Sequence, residues 1–532
     1  MRSMNAIFRI PPLFFPATSL TIACALLLGG CAVGPDYKRP DAPASPAFKE
    51  APADSTQWGE WKPAEPQDTS ERSNWWAIFG DPQLDALMSQ VKVSNQNIKA
   101  AEAQYRQALA ALQSSRAGYF PTVGASAGLD RARGSSGQVG NSQSASLSAS
   151  WELDVWGRVR RQVESSEASA QASQADLAST LLSTQATLAQ SYFLLRIADQ
   201  QKALLDRTVA DYERSLQLVR NQYAAGTAQR SDVLQSETQL KSAQALQIDI
   251  QITRAQYEHA IAILTGKPPS DLSIAPQDYA AAVPRVPSAV PSALLERRPD
   301  IGAAERRMAA ANAQIGVAQA AYYPTLSLSA SGGLSAATLA RWLSLPDRVW
   351  SIGPALAGTL FDGGLRSAAK AQAVAAYDQT VANYRQTVLS AFQEVEDNLA
   401  GARLLEQEAV VQNDALRSAR DALALVNNRY RAGTASLLDV LTAQTTAYTA
   451  ERTALAIVGR QYTTSAVLIK ALGGGWHVVP QSASNPLPAT PPAAPAPGGM
   501  PPPAGTQGNV PVPADAARQS PAGAPAGVSA KR

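Results

Sequence analysis

Over residues 158–222 the larger apolar side chains fall at Leu177, Leu181, Leu188, Tyr192 and Leu195, a spacing that keeps one stripe on one helix face. The residues around them are mostly Ala, Gln, Leu, Ser and Glu, with little Gly or Pro to interrupt a helix. The pattern predicts one rod of about 65 residues, which at about 1.5 Å per residue would run about 100 Å. No ordinary globular domain needs such a rod. A second of similar length is predicted over 365–430, and shorter helices over 84–118, 231–264, 301–321 and 439–472. Turn-forming residues punctuate them, as at Gly266-Lys267-Pro268-Pro269 and from Pro284 through Pro299.

At two places the period changes from helical to alternating. After Tyr119-Phe120-Pro121-Thr122 come Val123, Ala125, Ala127 and Leu129; after Tyr322-Tyr323-Pro324-Thr325 come Leu326, Leu328 and Ala330. Each run passes through a polar loop, 131–142 or 335–348, and returns near 144–153 or 350–361. Each half thus offers one hairpin, about 120–154 and about 323–361, with strands of about ten residues that can cross an outer membrane when tilted. Four strands cannot close a barrel. Open edges in lipid would leave backbone groups unpaired at several kcal/mol each, so the strands must find partners from other copies, and three copies give twelve. Ser and Ala at the alternating positions keep the lipid-facing signal weak, which leaves strands of a soluble periplasmic domain as the competing reading.

The two halves are copies of one unit, at an offset of about 207 residues. Tyr223-Ala-Ala-Gly226-Thr227-Ala228 is echoed by Tyr430-Arg-Ala-Gly433-Thr434-Ala435, and Asp232-Val233-Leu234 by Asp439-Val440-Leu441. The Tyr-aromatic-Pro-Thr markers are a second echo. The chain divides accordingly into an extended N-terminal segment (31–83), a first repeat (84–270), a second repeat (271–474) and a tail (475–532). The tail is dominated by Pro, Ala and Gly and cannot bury enough apolar surface to offset its chain entropy, so disorder is expected there.

Composition narrows the function. The 532 residues are 45% hydrophobic and 17% charged, with a mean hydropathy of -0.15, unlike a polytopic helical membrane protein. A formal charge of +3 and no basic stripe with interleaved aromatics exclude the footprint of a nucleic-acid binder. Both cysteines, Cys24 and Cys31, lie in the first hydrophobic stretch, and His259 and His477 are the only imidazoles, so no metal site or cofactor is expected. No P-loop and no nucleophile-base arrangement can be assembled, and an enzyme is not expected.

Residues 1–30 have a charged start and an apolar run ending in Ala25-Leu26-Leu27-Leu28, the layout of a secretory signal. Leu28-Gly29-Gly30-Cys31 resembles the lipobox at which a lipoprotein signal is cut, which implies acylation of Cys31. Acyl chains bury methylenes at about 0.8 kcal/mol each, enough for one or two to hold a protein on a membrane. Ala32 after the cysteine resembles the pattern of export to the outer membrane.

Further residues resemble the outer-membrane efflux proteins of the TolC and OprM type, in the NodT-like lipoprotein branch that serves resistance-nodulation-division (RND) pumps. They are Gly34-Pro35-Asp36-Tyr37-Lys38-Arg39-Pro40, Trp75-Trp76 with Phe79 and Asp81-Pro82, and Trp151-Glu152-Leu153-Asp154-Val155-Trp156-Gly157-Arg158. Leu294 through Ile301, Ala311 through Val317 and Leu360-Phe361-Asp362-Gly363-Gly364 follow in order. The resemblance implies a mainly α, internally duplicated protomer of a homotrimer. A twelve-stranded β-barrel in the outer membrane, four strands from each copy, would join a long periplasmic α-helical barrel. It implies a passive exit channel of a tripartite efflux pump, with a periplasmic adaptor (membrane fusion) protein and an inner-membrane transporter of RND type as partners. A type I protein-secretion channel and a structural trimeric coiled coil are the alternatives.

Gly226 and Gly433 are expected to make the tight turns at the periplasmic helix tips. By position, Asp232, Tyr430 and Asp439 resemble family residues that link neighbouring helices or line the constriction where the tips close the tube. Asp232 and Asp439 can equally be first-turn acids that complement a helix dipole. Ala435 and Thr442 depart from the family's tips, where an Arg and a further acid can stand.

Overall fold

The computed structural model describes residues 33–43, 48–50, 74–133, 137–279, 283–284, 297–336 and 348–474. The predicted signal segment, Cys31 and the C-terminal tail lie outside the described residues. After a 3-10 turn at Trp75–Phe79 come α1 (Pro82–Ser94), α2 (Gln96–Ala117), β1 (Thr122–Arg133), β2 (Val139–Leu153), α3 (Arg158–Ala224) and α4 (Arg230–Leu264). The second half has α5 (Pro299–Ala320), β3 (Thr325–Ala336), β4 (Arg348–Ala357), α6 (Leu365–Arg431) and α7 (Leu437–Ala471).

The rods α3 and α6 are each 67 residues long, and α4 and α7 are each 35. The helix expected over 84–118 is two helices. Asn95 ends the first and caps the second: its Oδ1 accepts from the Asn97 and Ile98 amides at 2.9 and 3.1 Å, and its Nδ2 donates to the Leu264 carbonyl at 2.8 Å. Capping chemistry outweighs helix propensity there. No helix among the described residues is long and apolar enough to cross a membrane.

The four strands form one antiparallel sheet of order β1-β2-β3-β4, so the two hairpins are joined by pairing of β2 with β3. The first hairpin is longer than its pattern indicates, running to Arg133 and restarting at Val139 inside the expected loop. The second ends at Ala357 rather than 361, and Leu360 and Phe361 project free of the sheet.

The two largest hydrophobic cores join several helices each. Trp75, Trp76 and Phe79 pack with Leu84 and Met88 of α1, Tyr192 and Phe193 of α3, Ile261 of α4 and Tyr462 of α7. The tryptophan pair is therefore core packing at the head of the first helix. Within this core Arg196 is fully buried; its Nη1 donates to Asp199 and to the Ala275 carbonyl, both at 2.9 Å, and its Nη2 donates to Gln83. The second core joins α5, α6 and α7 through Ile301, Met308, Tyr384, Val388, Val395 and Leu468.

The N-terminal segment is strapped across both halves. Val33 donates its amide to the Trp156 carbonyl at 3.1 Å. Arg161 of α3 reaches Asp36 at 2.8 Å, Asn312 of α5 donates to the Pro35 carbonyl at 2.9 Å, and the Tyr37 hydroxyl donates to Glu305 at 2.9 Å. Further along, Arg39 donates to Tyr384 of α6 at 3.1 Å, and the Lys49 and Glu50 amides donate to Glu396.

Candidate functional site

The sheet has two unlike faces. Residues directly opposite in an antiparallel pair share a face. The register therefore puts Val123, Ala125, Ala127 and Leu129 opposite Ala149, Leu147, Ala145 and Gln143; Trp151, Leu326, Leu328, Ala330 and Leu334 share that face, as do Leu356, Pro354, Ile352 and Trp350. The other face carries Gly124, Ser126 and Gly128, the serines 142 to 150 at even positions, Ser327, Ser329, Ser331, Gly333 and Ser335, and Ser351 and Gly353. Ser126 pairs with Ser146 at 2.9 Å and Ser331 with Ser351 at 2.8 Å across the strands. One face suits lipid and the other suits water, as a transmembrane barrel requires. Its charges among the described residues are Asp130 near the outer end and Glu152 at the helix end, the latter bonded to Arg158 at 2.6 and 2.8 Å.

Aromatic rings gather where the sheet meets the helices. Tyr119, Phe120, Tyr322, Tyr323 and Phe361 are exposed there, Trp156 stacks on Tyr323 at 4.8 Å, and its Nε1 donates to the Pro324 carbonyl at 2.7 Å. Such a collar marks a membrane interface.

At the far end the helices turn back twice with the same geometry. Gly226 and Gly433 adopt φ of 74° and 75°, left-handed values that glycine takes without strain. Thr227 and Thr434 donate both their amides and their hydroxyls to the carbonyls of Gln222 and Arg429, at 2.9 to 3.1 Å. Each following helix opens with a capping box: Asp232 accepts from the Gln229 amide at 3.1 Å, and Asp439 from the Ser436 amide at 2.9 Å and hydroxyl at 2.8 Å. Those bonds to the charged form hold the Asp439 carboxyl below its ordinary range.

Tyr430 brings the two turns together. Its hydroxyl donates to Gln222 at 2.8 Å, and Val219, Leu437 and Leu441 pack beside it. Partial burial raises the phenol's pKa. In one protomer Asp232 and Asp439 each serve their own helix start, while Tyr430 links the halves. Neither the strap's contacts nor the burial of Arg196 is written in the local sequence pattern. The motif Gly34 through Pro40 was the one signal for the strap, and nothing local marked Arg196 as buried.

A sheet with an apolar and a hydroxyl face, two unpaired edges and rods of this length defines a protomer of a shared barrel continued by a helical tube. Residues 87–267 and 290–474 match the family outer membrane efflux protein, and the chain belongs to that family. It is 32% identical over 464 residues to the toluene efflux pump outer membrane protein TtgC of Pseudomonas putida, covering 85% of this chain and 94% of that one. It is 32% identical over 479 residues to the pyoverdine export outer membrane protein OpmQ of Pseudomonas aeruginosa, covering 86% and 97%. The solved outer-membrane channel OprN superposes with a TM-score of 0.74 at 32% identity, covering 84% of this chain and all of that one. The protein is an outer-membrane efflux channel, trimeric, with a twelve-stranded barrel above an α-helical tube, and not an enzyme.

Proposed function

We propose that this channel is the exit duct of a tripartite pump for small molecules. It takes substrate from an RND-type inner-membrane transporter through a periplasmic adaptor, and Cys31, acylated, anchors it to the outer-membrane lipid. The observation that carries the reading is the lumen face of Ser, Thr and Gly, whose hydroxyls offer a solute no apolar sink and whose acids among the described residues are Asp130 and the Arg158-bonded Glu152. TtgC is named for toluene and OpmQ for pyoverdine, compounds of unlike polarity; a hydroxyl-lined sleeve suits either, and the choice of substrate falls to the inner-membrane partner.

The closed end of the duct is assigned to the tips. Tyr430 holds the two halves of one protomer together, and Asp439, on three copies, places three carboxylates at the rim, where they attract cations. Asp232 has the matching position in the first half. In planar bilayers, trimers carrying Tyr430→Phe or Asp439→Asn should conduct several-fold more than the unmodified protein at equal salt. Ser436→Ala, which removes both contacts of the Ser436 hydroxyl with Asp439 and no charge, separates the two roles of Asp439. If it raises conductance as much as Asp439→Asn, the acid acts as a cap; unchanged conductance in both Tyr430→Phe and Asp439→Asn sinks the gate. The intact mass of membrane-extracted protein, diacylated at Cys31 or not, tests the anchor.

A further inference from the structure

The outer ends of the edge strands carry three arginines that efflux does not use. Arg131 and Arg133 of β1 stand in phase with Val123, Ala125, Ala127 and Leu129, and Arg348 of β4 stands in phase with Trp350, Ile352 and Leu356. All three are therefore on the lipid face, and all three are exposed. No carboxylate stands on that face among the described residues of the sheet; Asp130 projects to the other side.

Closing a barrel from sheets of order β1-β2-β3-β4 makes β1 of each protomer pair with β4 of the next, because those edges are the ones left open. Side-chain parity then restricts the seam. Lipid-facing residues are odd-numbered on β1 and even-numbered on β4, so allowed registers differ by steps of two. With the helix-side ends Thr122 and Ala357 opposite each other, Arg131 stands opposite the partner's Arg348. A two-residue slide one way puts Arg133 there instead; a slide the other way leaves Arg131 diagonal to it, at about 7–8 Å. Each of these three registers gathers the cations at the seam.

Their height is that of headgroups. Arg131 is nine residues above Thr122, roughly 30 Å along the strand and about 21–23 Å of rise at a tilt of 40–45°. An apolar band is about 25 Å tall, so the guanidiniums reach its outer rim. Like charges side by side destabilise a strand pair unless an anion lies between them. Arginine forks match phosphate oxygens in pairs. Leu129 and Trp350, exposed just below, offer acyl chains a surface.

We propose that each of the three seams binds the phosphates of one outer-leaflet lipid, so that a phosphorylated glycolipid bridges neighbouring protomers. Trimers in mild detergent, titrated with bisphosphorylated lipid A and weighed by native mass spectrometry, should hold up to three lipids. The triple variant Arg131→Gln/Arg133→Gln/Arg348→Gln should lose at least tenfold in retention, the corresponding triple Lys variant should keep most of it, and Asp130→Asn should be unchanged. Arg348→Gln alone must also lose lipid, which preserves the test if the triple variant does not assemble. Dephosphorylated lipid A should not be retained, and inorganic phosphate at matched ionic strength should not displace the bound lipid. Equal retention by Arg348→Gln, equal binding of the dephosphorylated lipid, or displacement by inorganic phosphate would each overturn the proposal.

Discussion

A β-carbon placed on Gly34 would stand 2.5 Å from the Cα of Gly316, so the N-terminal strap and α5 touch backbone to backbone. Gly34 also holds φ at +106°, a conformation that L side chains rarely adopt. A β-carbon on Gly316 would in turn meet the Arg161 side chain at 2.8 Å, and that arginine also donates to the Gly34 carbonyl at 3.3 Å. Two glycines and one arginine thus set the height at which the chain beyond Cys31 joins the helices.

Gly34→Ala should strain that junction by roughly 1–3 kcal/mol. The expected outcome is a lower trimer dissociation temperature together with faster proteolytic clipping ahead of Asp36. A variant with unchanged clipping and melting would show that the strap accommodates a methyl group.

The Arg298 cluster gives a pH-dependent contribution. Burial alone would raise the Glu394 pKa, yet the hydrogen bonds from Arg298 at 2.7 Å and Lys470 at 2.9 Å outweigh it and hold the carboxyl below its ordinary value. A depressed pKa means stability that is present above the unfolded value of about 4.3 and is lost as pH falls through the folded one. The urea midpoint of the unmodified protein should therefore drop more steeply below about pH 4 than that of Glu394→Gln. At neutral pH, Arg298→Ala should cost about 1.5–3 kcal/mol, because Glu394 loses one of its two cations and keeps Lys470, whereas the double change Arg298→Met/Glu394→Met should cost less.

Selectivity of the membrane pore should rest on Asp130. With Glu152 bonded to Arg158, Asp130 is the acid left to face the lumen among the described residues of the sheet. In a salt gradient the reversal potential should show a weak cation preference that Asp130→Asn reduces. The difference should be clear near 0.1 M salt, where the Debye length is about 10 Å, and fade at 1 M, where it is about 3 Å. A preference unchanged by Asp130→Asn would place the selective charges elsewhere in the tube.

The rods were legible because nothing else explains runs so long with no Pro and a single Gly, at 401 in the second, and their ends were marked by Gly157, Gly364 and the paired Tyr-x-x-Gly-Thr turns. The break at Asn95 was hidden, since an Asn in a polar helical run looks like any solvent-facing residue until Leu264 supplies its carbonyl. The membrane sheet was half visible. Ser and Ala alternate too weakly on one strand to choose a face, and the separation into hydroxyl and apolar sides emerges once β2 pairs with β3, a contact between residues far apart in the chain. Arg196 was illegible for a related reason. Its burial depends on Gln83 and Ala275, which arrive from other parts of the chain.

The equal lengths of α3 and α6 make depth a property inherited in pairs. Deleting one residue from a single rod would lift one tip by about 1.5 Å and swing it about 100° around its axis, leaving three of the six turns of a trimer out of level. A longer or shorter duct for a wider or narrower periplasm can thus evolve only by matched changes in both halves. Steps of about seven residues, roughly 10 Å, would return each apolar stripe to the same side.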